Sequence, residues 1–318
     1  MHKLHKMENK ILGLHHITAI AGEAQRNFDF YTKVLGVRLV KKTVNFDDPG
    51  TYHFYYGDEV GNPGSILTFF PWEGIQKGRA GTGMATEIGY SVPKGSLEFW
   101  AARFKEFKVK HQPISELFGE KHLAFEDVDG LLLNLIEPAQ PDRRKQWTTP
   151  ALSEEVSTKG FHSIVLTVRS VDATAKILTD VFGYKLLNQE SNRYRFMTDA
   201  IETANIVDVV EEKDGKPGIN AGGTNHHVAF RVKDDNTLME FREKVKTAGL
   251  NITDKIDRNY FYSLYFREPG GILFELASDN PGFATDETIN ELGTHLMLPA
   301  QYERSRRQIE EVLPALKK

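Results

Sequence analysis

The sequence contains no cysteine. That absence removes disulfides, thiolate metal sites and a cysteine nucleophile together, and it fits a reducing compartment. Any metal bound by this chain must be held by imidazole and carboxylate. No stretch approaches the roughly 18 consecutive apolar residues that a membrane-spanning helix requires. The opening segment MHKLHKMENKILGLHH is positively charged but has only a short apolar run before a strand pattern begins, so it does not read as a secretory leader and the expectation is a cytoplasmic protein. A basic stripe is also missing, because 40 Lys and Arg are scattered among 44 Asp and Glu for a net charge of −4. Such a surface predicts no nucleic-acid partner and leaves a small molecule as the expected ligand.

What the sequence does contain is an internal repeat. The 318 residues are enough for two domains of ordinary size, and within them a pattern recurs at a spacing of roughly 70 residues, the size of a supersecondary module. Each copy opens on a short apolar strand: GLHHITAIA, ATEIGYSVP, GFHSIVLTV and TNHHVAFRV. A helical segment follows in each, namely EAQRNFDFYTKVLG, GSLEFWAARFKEF, SVDATAKILTDVFG and DDNTLMEFREKVKTAG. Three of these four are closed by Gly. Three more strands complete the unit, at 37–45, 51–57 and 64–70 in the first copy and 251–257, 260–267 and 271–277 in the fourth. The fold class expected is therefore α+β, with four βαβββ modules forming two paired, curved mixed sheets. The polar, proline-containing stretch EPAQPDRRKQWTTPALSEEVSTKG separates the second and third copies and sets an expected division into domains 1–150 and 151–318. The final segment QYERSRRQIEEVLPALKK reads as an amphipathic helix that packs against the body in preference to acting as a lid.

Aligning the units on one another locates the chemistry. The second residue of each opening pair is His16, Glu87, Ser163 and His227, and the matching last-strand positions are Thr68, Asn134, Asp208 and Glu275. Taken singly these signals are weak, since a lone histidine at a strand start is more often a hydrogen-bonded structural residue. Glu275 says more, because an ionised carboxylate flanked by apolar residues in GGILFELAS is costly unless paired or metal-bound. Which units pair decides the site. Units one and four together offer His16, His227, Glu275 and Thr68, the two-imidazole, one-carboxylate set associated with non-haem Fe(II) oxygenases. Units two and three offer Glu87, Asn134, Ser163 and Asp208, which lack an imidazole, whereas three with four would offer Ser163, Asp208, His227 and Glu275. His15 and His226 precede the two candidate ligands, and strand alternation would turn them away unless the ladder is not yet established there. Thr18 should share the face of His16. For Arg258, a solvated loop charge, and for Tyr265, strand packing beside Tyr260 and Tyr262, are the ordinary readings.

The strings GLHHITAI, NFDDPGTYHFYYGD, TNHHVAF and GGILFELAS resemble ring-cleaving dioxygenases of the vicinal oxygen chelate (glyoxalase/bleomycin-resistance) superfamily, especially the branch acting on hydroquinones and chlorohydroquinones. The resemblance runs from about residue 11 to the C-terminal helix. It implies glyoxalase-like domains and one Fe(II) per chain on His16, His227 and Glu275, with other divalent metals able to occupy such a site in purified protein. It also places His15, Thr18, His226, Arg258 and Tyr265 around the substrate and O2, with His226 or His15 as acid/base. The implied partners are a small aromatic substrate and O2, and further copies of the chain are compatible with the sequence. Two rivals share the scaffold. A glyoxalase-type isomerase or lyase on Ni or Zn normally takes a second carboxylate or amide ligand where Thr68 stands, and a non-enzymatic, drug-binding protein has no need of the triad.

Overall fold

In the computed structural model, which describes residues 9–317, each repeat folds as strand, helix and three strands. Unit one comprises β1 (Leu14–Ala21), α1 (Ala24–Asp29), β2 (Arg38–Val44), β3 (Tyr52–Gly57) and β4 (Ile66–Pro71). Unit two comprises β5 (Met84–Ser91), α2 (Leu97–Glu106), β6 (Ser115–Leu117), β7 (Glu120–Glu126) and β8 (Leu132–Glu137). Unit three comprises β9 (Phe161–Val168), α3 (Val171–Lys176), β10 (Lys185–Glu190), β11 (Arg193–Met197) and β12 (Ile206–Glu211). Unit four comprises β13 (Thr224–Val232), α4 (Asp235–Thr247), β14 (Ile256–Asp257), β15 (Phe261–Arg267) and β16 (Leu273–Pro281). The first eight of the sixteen residues of the opening segment considered above lie outside the described residues.

The units do not pair in chain order. β1 runs antiparallel to β13 and β5 antiparallel to β9. Units one and four therefore share one eight-stranded sheet, ordered β14-β15-β16-β13-β1-β4-β3-β2, and units two and three share the other, β10-β11-β12-β9-β5-β8-β7-β6. Each sheet takes strands from both sides of residue 150, and the connections around residues 72–83 and 212–223 cross between sheets side by side through Lys77↔Gly222, Arg79↔Ile219 and Thr82↔Pro217. Within every unit the first and last strands are parallel, with Thr18↔Thr68, Gly89↔Asn134, Val165↔Asp208 and Ala229↔Glu275 as neighbours. The last-strand residue always faces the position two beyond the second member of the opening pair, so the four aligned positions, Asp208 included, are structurally equivalent.

The register also breaks at the same place in every unit. The β1–β13 ladder skips His15 and His226, and the β5–β9 ladder skips Thr86 and His162. Each is a β-bulge, in which one strand carries an extra residue, bends, and re-aims a side chain. The bulge is what frees the first residue of each opening pair from simple alternation.

Helices cover the sheets, with α2 on β7 and β8 and α4 on β15 and β16. Trp100, Phe104, Leu238 and Phe241 are buried beneath them, each worth roughly 1.5–3 kcal/mol when removed from water. Two expected elements are shorter than the sequence pattern suggests. The strand expected over 251–257 is confined to Ile256–Asp257 plus one bridge from Ile252 to Phe266, and Arg242 Nε donates to the Thr253 carbonyl at 3.0 Å. The C-terminal helix is only α5 (Arg306–Val312) after a 3-10 turn at Ala300–Ser305. Pro314 ends it, since proline has no N–H to give and disfavours helix in the residue before it. This segment packs on unit one, where Tyr302 donates to the Phe46 carbonyl at 2.6 Å and Tyr52 to that of Pro314 at 3.0 Å. Among the described residues no helix is long and apolar enough to cross a membrane.

Candidate metal centre

Three side chains from opposite ends of the chain meet inside the first sheet. His16 on β1, His227 on β13 and Glu275 on β16 each bring one ligand-type atom to within 4.8 Å of the other two. Glu275 Oε2 lies 3.2 Å from His16 Nε2 and 2.9 Å from His227 Nε2. All three residues are buried, yet His227 Nε2 and Glu275 Oε2 have no hydrogen-bond partner. The close approach is thus not a donor–acceptor alignment. Leaving such atoms unpaired costs about 1–3 kcal/mol each, and more for charged groups, a cost that a divalent cation at their common point would remove. The donor set suits Fe(II). Burial pushes the Glu275 carboxyl up, but His16 and His227 prevail and hold it well below the usual carboxylate range. Its other oxygen accepts a hydrogen bond from Ser263 Oγ.

The bulge histidines meet the Nδ1 atoms of the two ligand-type rings. His15 Nδ1 is 2.9 Å from His16 Nδ1, and His226 Nδ1 is 2.8 Å from His227 Nδ1. Burial, then the neighbouring His16, lowers the His15 pKa well below its ordinary value, so its ring has one N–H. A metal held at His16 Nε2 requires the His16 proton on Nδ1, from where it donates to His15 Nδ1. An outer partner of this kind orients a metal-binding imidazole. Burial and then His227 lower His226 to about 4. A metal held at His227 Nε2 likewise requires His227 to donate from Nδ1 to His226 Nδ1, which leaves the single His226 proton on Nε2.

A cavity of about 390 Å³ opens over these groups. Of the eight residues nominated from sequence, His16, Thr18, His226, His227, Arg258 and Tyr265 line it, and Glu275 lies buried beneath. His15 does not reach it; this ring is sealed against Phe261, with centroids 5.1 Å apart. Arg258 precedes β15 on a turn where Asn259 takes φ 65°. Its guanidinium carbon lies 5.3 Å from the Tyr265 ring centroid, and Tyr265 pairs with Glu275 across β15–β16. Sequence reasoning missed His53 and Tyr55 on β3 and the aromatic wall of Phe46, Phe70 and Trp72. The alternation in YHFYYG, which puts His53 and Tyr55 on one face, was the available signal.

In the second sheet Glu87, Asn134, Ser163 and Asp208 converge as well, but around only about 10 Å³ of space. Arg195 fills it. Arg195 Nε is 2.8 Å from Asp208 Oδ1 and Nη1 is 2.6 Å from Glu120 Oε2. Arg195 faces Asp208 as Tyr265 faces Glu275, so here a guanidinium neutralises the carboxylate that a metal would otherwise need to meet.

The pattern defining the glyoxalase/bleomycin resistance protein/dioxygenase superfamily matches residues 13–135 and 160–276. The chain belongs to this superfamily. Among superfamily relatives, it is 44% identical over 307 residues to MhqO of Bacillus subtilis, named as a candidate ring-cleaving dioxygenase, covering 96% of this chain and 97% of the relative. It is 34% identical over 304 residues to the chlorohydroquinone/hydroquinone 1,2-dioxygenase of Sphingobium indicum, covering 94% of each. A crystal structure from Bacillus subtilis, described as a candidate dioxygenase, superposes with a TM-score of 0.93 at 42% identity over 98% of this chain and 99% of that one. Glyoxalase I of Zea mays shares the superfamily fold at a TM-score of 0.63 and 16% identity, over 89% of this chain and 97% of that one.

Proposed function

We propose that this chain is an Fe(II)-dependent dioxygenase that opens the ring of hydroquinone-type aromatics with O2, the metal being held by His16, His227 and Glu275. The observation that carries the reading is the convergence of two imidazole Nε2 atoms and a carboxylate oxygen, buried and without mutual hydrogen bonds, under a cavity walled by Phe46, Phe70 and Trp72. Bound ferrous ion would supply the electron path between a closed-shell ring and dioxygen that the two lack in solution. The protein's own groups do the rest. The aromatic wall packs the substrate ring and excludes water, and Arg258 offers a fixed positive charge to an oxyanion. His226, with its proton on Nε2, enters the reaction as a neutral hydrogen-bond donor toward an oxygen of the substrate. Tyr265 is held un-ionised, burial first and then Glu275 raising its pKa, so it too donates. Both atoms of dioxygen end in the product, a hydroxymuconic-semialdehyde-type acid, or an acyl chloride where the cleaved neighbour bears chlorine.

The relatives named as ring-cleaving and hydroquinone dioxygenases support the choice of reaction. Thr68, a neutral hydroxyl at the last-strand position of unit one, weighs against the isomerase, which normally uses a further carboxylate or amide there. Metal analysis of anaerobically purified protein, followed by oxygen uptake with catechol, hydroquinone, methylhydroquinone and chlorohydroquinones, tests the reading. Iron with hydroquinone-dependent uptake is expected. Nickel or zinc without oxygen uptake, or a wide preference for catechol, would refute it.

A further inference from the structure

A run of hydrogen bonds from β3 to β1 ends at the cavity and has a single direction. Thr68 Oγ1 donates to Thr18 Oγ1 at 2.9 Å. Its one proton is thereby used, so at the 3.0 Å contact between Thr68 Oγ1 and His53 Nε2 the imidazole must be the donor. Burial, then His16 and Arg258, hold the His53 pKa well below its ordinary value, which leaves one proton on the ring. His53 Nδ1 is therefore the acceptor in its 3.0 Å contact with Tyr55 OH. Tyr55 stays protonated, because burial raises its pKa well above the usual phenol value. Its ring is wedged against Phe283 and Tyr260, with centroids 5.2 and 6.2 Å away. Every donor in the series Tyr55, His53, Thr68, Thr18 points the same way. Thr18 Oγ1, buried and lining the cavity, is left with a proton that has no acceptor among the described residues.

We propose that Tyr55, His53 and Thr68 form a positioning relay that fixes the Thr18 hydroxyl as a one-way hydrogen-bond donor to an anionic oxygen of the substrate beside the metal site. The relay uses the repeat. Thr68 is the unit-one counterpart of Glu275, and Tyr55 and His53 stand where unit four has Tyr265 and Ser263, so a hydroxyl series occupies the place of a ligand and its support. Bonds in series polarise one another, so the terminal donor is stronger than an isolated threonine. Removing any member lets Thr18 rotate and accept instead. The assignment of the acceptor as substrate rests on the function proposed above; the direction of the relay does not.

Two measurements test it separately. Nitrogen NMR of the metal-free protein should show His53 protonated at Nε2 and bare at Nδ1. A proton at Nδ1 would reverse the series and overturn the relay, whatever the enzyme does. In iron-loaded protein, Thr68→Val, which keeps the shape and removes only the hydroxyl, should retain iron yet bind hydroquinone anaerobically about tenfold more weakly and turn it over about tenfold more slowly, the scale of a hydrogen bond to a charged group. Thr68→Ser should restore both. His53→Phe should match Thr68→Val, and the double variant should be no worse than either single one, because groups in series are lost together. Multiplying losses, or a Thr68→Val enzyme with wild-type binding and turnover, would refute the relay. If wild-type protein shows no oxygen uptake with any hydroquinone, the functional reading fails while the NMR result still decides the relay.

Discussion

Replacing Glu275 by glutamine separates a metal site from an ordinary buried ion cluster, because the two explanations predict melting shifts of opposite kind. Glu275 Oε2 faces His227 Nε2 at 2.9 Å and His16 Nε2 at 3.2 Å, while Oε1 accepts from Ser263. A glutamine amide in that place keeps the Ser263 bond and turns two N–H donors toward two imidazole lone pairs. It fills internally the position that a cation would take. Each new bond is worth about 0.5–1.5 kcal/mol, so the metal-free variant should melt no lower than the metal-free parent. The metal increment is the other arm. Unfolding entropy of about 2.1 cal/mol/K per residue over 318 residues gives about 0.67 kcal/mol/K. Metal at roughly a hundredfold excess over its Kd adds about 2.7 kcal/mol to the native state, which raises the melting temperature by about 4 °C. Anaerobic thermal unfolding with and without Fe(II), or Mn(II) as an oxidation-resistant probe, reads both arms. The parent should gain the increment and Glu275→Gln should not. An equal metal-induced rise in the two proteins would show that Glu275 holds no metal.

Glu87→Ala, at the equivalent position of the second sheet, should leave iron content unchanged, since Arg195 already neutralises that cavity; metal analysis beside Glu275→Ala checks it. His226→Ala and Arg258→Ala should each retain iron and lose on the order of tenfold to a hundredfold in hydroquinone kcat and kcat/KM together, and steady-state oxygen uptake near the wild-type rate would contradict their roles. Asp127 accepts from Tyr31 at 2.9 Å, and burial raises its carboxyl to about 6, above the unfolded value of about 3.9. Its contribution is therefore full below about pH 4 and lost as pH rises through about 6, a span of about 3 kcal/mol. Denaturant unfolding at pH 4 and 7 should show that slope in the parent and not in Asp127→Asn.

The four-unit fold and the triad were legible because both are written as repetition. A strand followed by a helix recurs in all four units, the helix closed by glycine in three, and comparing like positions made His16, His227 and Glu275 stand out without knowledge of the sheet order. The β-bulges were not legible. A bulge adds a residue to one strand only relative to its partner, and that partner is some 210 residues away in sequence for β1 and β13. So His15 and His226 looked equivalent, whereas the fold seals one behind Phe261 and opens the other to the cavity. The second sheet was readable only in part: its four aligned positions lack an imidazole, but His122 joins the cavity beside Asn134, and the guanidinium that fills it comes from a strand position where the other units carry Tyr55, Ala124 and Tyr265. His53 was hidden by its surroundings, since a histidine among aromatics on a strand looks like core until its partners are placed.

The asymmetry between units one and four bears on what the site can do. Had unit one kept a carboxylate at Thr68, a metal at the common point would face four protein ligands, two imidazoles and two anions, and fewer positions would remain for exchangeable groups. A threonine removes one negative charge and one ligand together, and it leaves the side of the site toward the cavity open. That side is where Thr18, His226 and Arg258 present donors and positive charge. A substrate that reaches the metal point as an anion, through a single oxygen, meets complementary groups there. On the proposed function a second vicinal oxygen would not be needed to hold it, since the aromatic wall and Arg258 would fix the rest of the ring. On the proposed function, selectivity for a para-diol over a catechol would reside in the donors around the open positions and in the wall of Phe46, Phe70 and Trp72, while the three proposed ligands would be common to both substrates.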